Sequence, residues 1–317
     1  METTFDGVIR ENSQAGYQEA FIPSENPQNH ASNLLELSNG DLLCVWFSGT
    51  QEGVSDISVF LSRLNQGESS WSKPVQLSFD TTRSEQNPVL FEDPDGILWL
   101  LYTAQKAGNQ DTAFVRYRQS KDKGYTWSDI KPLIEEPGTF IRQPITVLPN
   151  GDWVLPIFRC AVQPGEKWVG DHDTSAVKVS HDKGQTWEEV TVPSSVGCVH
   201  MCVNVLPDGT YVALYRSRWA DHIYRSESHD GIHWTEPQAL SLPNNNSSIQ
   251  AACLNDGKLA MVFNNINADD SEQRRASLYD EIEDDVVTDE ERRISSDVPQ
   301  DPKGRKAVWG IPRAPMT

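Results

Sequence analysis

Two stretches of the chain spell nearly the same octapeptide, Ser120-Lys-Asp-Lys-Gly-Tyr-Thr-Trp127 and Ser180-His-Asp-Lys-Gly-Gln-Thr-Trp187. A looser copy is Ser228-His-Asp-Gly-Ile-His-Trp234, and an eroded copy runs from Ser62 to Trp71. The motif has the chemistry of a hairpin turn, because Asp accepts backbone N–H groups two residues on, Gly permits a positive φ and Trp packs beside the turn. Motifs recurring at intervals of roughly 50 to 60 residues indicate a repeat architecture, so we expect these Asp residues to be structural.

A second repeat runs in phase with the first and consists of Asn-Gly or Asp-Gly between two β-prone runs. Its glycines are Gly40, Gly96, Gly151, Gly209 and Gly257. This dipeptide is the strongest local hairpin signal, and its tight turn requires a positive φ at glycine. Each unit therefore predicts an inner hairpin, a third strand that ends in the octapeptide turn, and a fourth strand. Four-stranded units arranged radially form an all-β propeller, with the octapeptide tryptophans at the outer turns.

Composition limits the function classes. The chain has 317 residues and a formal net charge of −19, which argues against nucleic acid and membrane surfaces as partners. It has no run of about 18 apolar residues, and its first residues do not resemble a secretory signal. Five Cys residues are an odd number, which favours buried free thiols in a reducing, cytoplasmic compartment. Cys198 and Cys202 have no second ligand pair, so we expect no metal and no cofactor.

The regular cycle stops after Phe263. The predicted segments are an N-terminal lead-in (1–19), the propeller blades (20–267), an acidic flexible insertion (268–304) and a strand-like C-terminal remnant (305–317). A closed propeller needs its last blade to meet its first, since an open radial sheet leaves unpaired edges. We therefore expect a ring with its last blade incomplete or atypical. Such an opening exposes apolar blade faces and predicts low stability or a homodimer.

From about residue 20 to residue 265, the chain carries motifs beyond the two repeats. They are Asn29-His30-Ala-Ser, Trp46-Phe-Ser-Gly-Thr-Gln-Glu-Gly53, Gln86-Asn87-Pro88, Gln143-Pro144, Arg216-Ser-Arg218 and Pro243-Asn-Asn-Asn-Ser247. Together with the octapeptide, which matches the Asp-box or bacterial neuraminidase repeat, they resemble the sialidase-like (neuraminidase-like) propeller family. The resemblance implies a six-bladed type of propeller and a glycoside-active enzyme.

In a propeller, one end of the innermost strands converges on a shared funnel, so polar residues at equivalent blade positions are site candidates. Arg binds a carboxylate through two hydrogen bonds, and His, Asp or Glu moves protons, which suits an acidic sugar or small-molecule ligand. The expected catalytic residues are His30, Glu52, Asp56 and His200. The expected substrate-binding residues are Asn87, Arg142, Gln143, Arg159, Arg216, Arg218 and Asn246.

Several of these assignments have a structural alternative. His200 lies in an apolar strand, which also fits a core histidine with satisfied hydrogen bonds. Arg216 and Arg218 alternate on one strand, which fits either a carboxylate clamp or a salt bridge between blades. Asn87 and Gln143 also fit a role as strand caps.

The chain departs from true sialidases, which hold the substrate carboxylate with three Arg and use an Asp acid/base with a Tyr nucleophile paired to Glu. Asn29-His30-Ala-Ser replaces the usual first arginine segment, and the late blades that carry the Tyr lose their pattern here. The resemblance therefore implies a hydrolase or lyase that cleaves a terminal residue of an acidic glycan or glycoconjugate, rather than sialidase activity as such. Two alternatives stay open: a non-catalytic propeller that binds a glycan or protein, and a scaffold recruited to a small-molecule biosynthetic reaction.

Overall fold

The computed structural model describes residues 5–12, 16–163, 165 and 168–270. Among these residues the secondary structure is β-strand, apart from one 3-10 turn at Ala268–Asp270. None of the helical structure in this part of the chain has the length and apolarity that a membrane crossing requires. Beyond that 3-10 turn, the predicted acidic insertion and the predicted C-terminal remnant lie outside the described residues.

Contacts divide the chain into two compact units. Within the described ranges, the first unit contains residues up to 109 and residues 114–135, and the second unit contains residues 110–113 and those from 136 onward. Each unit has its own buried apolar cores and is described separately below.

The first unit contains a hairpin and two four-stranded antiparallel sheets whose strands follow sequence order. The hairpin, within the predicted lead-in, is β1 (Arg10–Asn12) and β2 (Tyr17–Glu19). The first sheet is β3 (Gln28–Glu36), β4 (Leu42–Gly49), β5 (Ser58–Leu64) and β6 (Val75–Gln76). The second sheet is β7 (Ser84–Glu92), β8 (Leu98–Lys106), β9 (Asn109–Ser120) and β10 (Lys131–Ile134), although residues 110–113 of β9 belong to the second unit. Alternate residues of both sheets, such as Leu43, Val59, Leu90 and Leu100, form one apolar cluster between them.

The second unit repeats this plan. Its first sheet begins with two short strands, β11 (Thr139–Ile141) and β12 (Thr146–Val147), which both pair with β13 (Trp153–Arg159) and are followed by β14 (Thr174–Ser180) and β15 (Glu188–Thr191). Its second sheet is β16 (Cys198–Val205), β17 (Tyr211–Ser217), β18 (His222–Ser228) and β19 (Gln238–Pro243). A two-stranded hairpin follows, β20 (Gln250–Cys253) with β21 (Leu259–Val262).

The five predicted hairpin turns are all present. Their glycines have positive φ as expected: Gly40 (84°), Gly96 (80°), Gly151 (91°), Gly209 (86°) and Gly257 (81°). In each turn the glycine N–H donates to a carbonyl three residues earlier, which closes the reversal between two strands. The local signal therefore decides the position of every inner hairpin.

The octapeptide turns join the third and fourth strands of their sheets, as predicted. The carboxylate of Asp122 accepts the Thr126 N–H at 2.8 Å and the Thr126 hydroxyl at 2.6 Å, and Asp182 makes the same two contacts with Thr186. These donors lie four residues after the Asp, whereas we expected donors two residues after it. Of Asp122, Asp182 and Asp230, it is Asp230 that accepts the expected hydrogen bond, from the N–H of Ile232. The bonds hold the pKa of both the Asp122 and Asp182 carboxyls at about 2, which suits a structural role.

The first strand of three sheets carries a one-residue β-bulge at the same register. At each bulge one residue other than glycine has a left-handed backbone: Ala31 (φ 52°), Asn87 (φ 49°) and His200 (φ 56°). We expected His30 to occupy the position equivalent to Asn87 and His200. The equivalent residue is instead Ala31, the next one along the chain, because it has the left-handed backbone in β3. Bulges re-aim side chains, and strained backbone is found preferentially at functional sites. The gap between β11 and β12 interrupts the remaining first strand at the same place and contains Arg142.

Candidate functional site

His200 is the centre of a cationic cluster in the second unit. Its Nδ1 atom is 3.1 Å from the hydroxyl of Ser248, and its Nε2 atom is 3.5 Å from Nη1 of Arg216. A guanidinium only donates hydrogen bonds, so Nε2 accepts, and the ring hydrogen is on Nδ1 and is donated to Ser248. The ring also packs at 5.0 Å from that of Phe158.

The imidazole of His200 is neutral. Burial lowers its pKa well below the ordinary value, and the positive charges of Arg216, Arg218 and Arg142 lower it further. A lone pair that faces a guanidinium is a weak base, because protonation would place two positive charges side by side. These contacts fit the alternative of a buried histidine with satisfied hydrogen bonds, and the catalytic role of His200 stays a prediction.

Arg216 and Asn246, two of the residues predicted from the sequence, lie together with His200. Arg216 is buried on β17, and its Nε atom donates to Oδ1 of Asn246 at 2.8 Å. Asn246 has a left-handed backbone (φ 60°), and its N–H donates to the side chain of the fully buried Asn244. The loop before β20 is therefore shaped to hold this guanidinium.

Arg218 has different partners from Arg216. Its Nε and Nη2 atoms lie 2.9 and 2.7 Å from one oxygen of Asp173, which is fully buried. Nη2 also donates to Gln110 at 3.2 Å, and the guanidinium lies over the rings of Phe158 and Trp168. These contacts match the salt-bridge alternative for Arg218, and the predicted clamp of Arg216 and Arg218 on a substrate carboxylate stays a prediction.

Arg142 occupies the gap between β11 and β12 and is partly buried. Burial lowers the pKa of its guanidinium, and within the described part of the chain no carboxylate pairs with it. The next residue, Gln143, exchanges two hydrogen bonds with Gln250, at 3.0 and 3.4 Å. Gln143 therefore joins the segment between β11 and β12 to β20. Arg142 brings a positive charge to the same segment.

Arg159 belongs to a separate ion-pair network on the third sheet. It contacts the carboxylate of Glu189 through Nε and Nη2, and it donates to the Thr139 hydroxyl. Lys178 lies 3.2 Å from the same Glu189 carboxylate. The substrate-binding role of Arg159 stays a prediction.

In the first unit, the predicted residues His30 and Glu52 lie side by side. Nδ1 of His30 is 3.9 Å from Oε2 of Glu52, and the ring stacks on Phe47 at 5.4 Å with an interplanar angle of 19°. Both side chains are accessible, with 36% and 27% of their surface exposed. A half-exposed imidazole beside a carboxylate has the composition of an acid/base pair.

Asp56 and Asn87 are placed in other environments of the first unit. The exposed Asp56 accepts the Thr50 N–H at 3.2 Å, a contact that closes the loop after β4. Asn87 is buried at the bulge of β7. Both assignments stay predictions.

Three residues of these clusters were missed by the sequence analysis: Gln28, Asp173 and Ser248. Gln28 could have been found, because it precedes His30 by two residues on one strand and so shares its face. Asp173 pairs with a residue 45 positions away, and Ser248 with one 48 positions away, so no local pattern announces them.

Several solved structures are similar to this chain. A Hadza microbial sialidase matches with a TM-score of 0.62 and 14% identity, over 79% of this chain and 55% of that one. An intramolecular trans-sialidase from Ruminococcus gnavus, solved with oseltamivir carboxylate, matches with a TM-score of 0.60 and 15% identity, over 75% and 77%. An α-L-arabinanase from Penicillium chrysogenum matches with a TM-score of 0.57 and 19% identity, over 76% and 77%. The chain thus spans about half the length of the first of these.

No curated protein matches the chain by sequence. The structural likeness, at these low identities, shows the fold: all-β and propeller-like, with four blades detected among the described residues. The count of six blades stays a prediction. The family model of the BNR repeat-like domain matches residues 40–292, which is most of the sequence. The chain is therefore a member of the BNR repeat-like domain family, with a sialidase-like fold.

Proposed function

We propose that the chain is a glycoside-active enzyme that cleaves a terminal residue of an acidic glycan or glycoconjugate. The observation that carries the proposal is Arg142, a partly buried guanidinium that no carboxylate of the described residues neutralises. A partly desolvated cation is costly unless an anion pairs with it. A ligand carboxylate supplies that anion, and the planar fork of Arg binds it through two hydrogen bonds.

The surroundings of Arg142 favour an anion over a cation or a neutral group. The charge of Arg142 reaches His200, whose pKa it helps to lower, and Arg216 contacts that same ring. Asp173, a fully buried carboxylate of the same unit, is already bound by Arg218. The cluster is therefore cationic, and His200 remains neutral within it. A uronic or sialic acid has the matching carboxylate.

Cleavage of a glycoside also requires a group that moves a proton. In the first unit, His30 and Glu52 have the contacts of such a pair, and both are accessible. We assign proton transfer to these two residues. Asp56, which is fixed by Thr50, is a weaker candidate for that role.

One observation favours a second candidate, a propeller that binds an acidic glycan without cleaving it. His200 has both ring nitrogens engaged, with Ser248 and Arg216, so its imidazole offers no free base to a ligand of the cationic cluster. Under this alternative, Arg142 still binds the carboxylate, but turnover is absent. Binding and turnover must therefore be measured separately.

The test is a panel of aryl glycosides of uronic and sialic acids, with neutral aryl glycosides for comparison, assayed for turnover and for binding by calorimetry. We expect binding of acidic members only, and loss of at least about 10-fold in affinity in Arg142→Met, because charge-assisted hydrogen bonds are removed. The matched control is Arg225→Met, which removes a half-buried arginine that is already paired with Glu227. Equal affinity of Arg142→Met and wild type for every acidic ligand would refute the proposed binding residue.

A further inference from the structure

Gln28 contacts both members of the His30–Glu52 pair through one atom. It lies at the start of β3, two residues before His30, so both side chains leave the strand on the same face. Its Oε1 atom is 2.7 Å from the backbone nitrogen of Glu52 and 3.3 Å from Nε2 of His30. A single amide group therefore links the loop that carries Glu52 to the ring of His30.

The contact with the backbone identifies the atoms. The N–H of Glu52 only donates, so the Gln28 atom that it approaches is the amide oxygen and not the amide nitrogen. That oxygen only accepts, and Nε2 of His30 must therefore carry a hydrogen and donate it. A neutral imidazole has one N–H, so its lone pair is on Nδ1.

Nδ1 is also the ring nitrogen that faces Glu52, at 3.9 Å from Oε2. The stack on Phe47 fixes the plane of the ring. When Nδ1 takes up a proton, the new N–H faces a carboxylate, which stabilises the imidazolium. The opposite tautomer would direct the lone pair of Nε2 at the Gln28 oxygen, an acceptor facing an acceptor.

We propose that Gln28 is a positioning residue that holds His30 in its Nε2–H tautomer and so makes Nδ1 the proton-accepting atom of the reaction. This inference rests on the proposed function, because that proposal assigns proton transfer to His30 and Glu52. In the step, a proton leaves an O–H of the substrate or of water and binds to Nδ1. The electron pair of the broken O–H bond stays on the oxygen, and the imidazolium lies beside Glu52.

The test reads the tautomer directly, in the full chain. Long-range proton–nitrogen NMR spectra of the 15N-labelled protein, recorded on the neutral imidazole, distinguish a protonated ring nitrogen from an unprotonated one. We expect protonated Nε2 and unprotonated Nδ1 in the wild type, and a mixture of both tautomers in Gln28→Met, which keeps the chain length and removes the acceptor. Gln18→Met, at an exposed glutamine bonded to Glu11, should leave the His30 signals unchanged.

A protonated Nδ1 in the wild type, or the same tautomer in Gln28→Met, would overturn the inference. With a substrate from the aryl glycoside panel, Gln28→Met should lower kcat about 10-fold with little change in KM and should shift the pH profile of kcat. An altered tautomer with unaltered kcat would also overturn the positioning role. Because the NMR measurement needs no substrate, failure to find turnover counts against the proposed function alone.

Discussion

One carboxylate oxygen of Asp173 lies 2.9 Å from Nε and 2.7 Å from Nη2 of Arg218, and both side chains are buried. The pair joins the loop before β14 to the end of β17 within the second unit. Removing one partner of a buried pair leaves an uncompensated charge, which costs far more than the loss of a surface pair. The second unit therefore depends on this pair for its stability.

We expect Asp173→Asn to lower the free energy of unfolding by about 3–5 kcal/mol, because Arg218 then remains buried without a counter-charge. Urea unfolding followed by tryptophan fluorescence measures the change. Glu227→Gln is the matched control, since the Glu227–Arg225 pair is half-exposed, and it should change stability by less than about 1 kcal/mol. Equal stability of the two variants would show that Arg218 is not held by Asp173.

The octapeptide turns should make stability depend on acid. The carboxyl of Asp182 has a pKa of about 2 in the fold, because it accepts hydrogen bonds from Thr186, against an ordinary value of 3.8. A depressed pKa contributes stability above the unfolded-state value, and that contribution is lost as pH falls through the folded-state value. We expect the unfolding midpoint in urea to fall between about pH 4 and pH 2, and to fall less in Asp182→Asn. An identical pH dependence in the variant would contradict this.

The turns could be predicted from the sequence because their chemistry is local. Gly40 and Gly151 need a positive φ that glycine adopts freely, and Asp122 finds its donors within four residues. The strands between these turns then follow from β-prone composition. The four blades are thus encoded in short segments.

The site could be anticipated only in part, because its contacts join distant segments. Arg216 and His200 were predicted as site residues, and they are in contact. Arg218 instead pairs with Asp173, a residue that no sequence motif marks. The β-bulge in β3 also places Ala31, and not His30, at the position equivalent to Asn87 and His200. A bulge depends on pairing with a second strand, so the sequence of β3 alone does not show it. Tertiary contacts, rather than residue type, decide which charges remain for a ligand.

Gly138 offers a test of a close backbone approach. A Cβ atom there would lie 2.5 Å from the carbonyl oxygen of Cys160, and the φ of Gly138 is 78°. We expect Gly138→Ala to destabilise the chain through both the clash and the left-handed backbone. Gly209→Ala is the control, because its φ is 86° but a Cβ would meet no atom within 4 Å, and it should cost only about 1 kcal/mol. Thermal unfolding of both variants gives the comparison, and a smaller loss in Gly138→Ala than in Gly209→Ala would refute the predicted clash.

The neutral state of His200 has a consequence for the pH dependence of stability. Its pKa in the fold is well below the ordinary value, because of burial and the charges of Arg216, Arg218 and Arg142. The unfolded chain therefore binds a proton at this residue near pH 6.5, while the folded chain does not. Stability from this residue is present above about pH 6.5 and decreases as pH falls, by up to about 1.4 kcal/mol per pH unit.

We expect His200→Gln to reduce the fall in unfolding free energy between about pH 6.5 and pH 5, because glutamine keeps hydrogen-bonding capacity and does not titrate. His181 is the control of opposite sign, since its contacts with Asp152 and Glu188 raise its pKa, so its contribution is present at low pH and is lost as pH rises. His181→Gln should therefore leave the fall below about pH 6.5 nearly unchanged and should alter the pH dependence of stability above it. An NMR titration gives the microscopic check, because the His200 ring should not titrate between pH 5 and pH 8. A midpoint near 6.5 for that ring would mean that Arg216 does not face its lone pair.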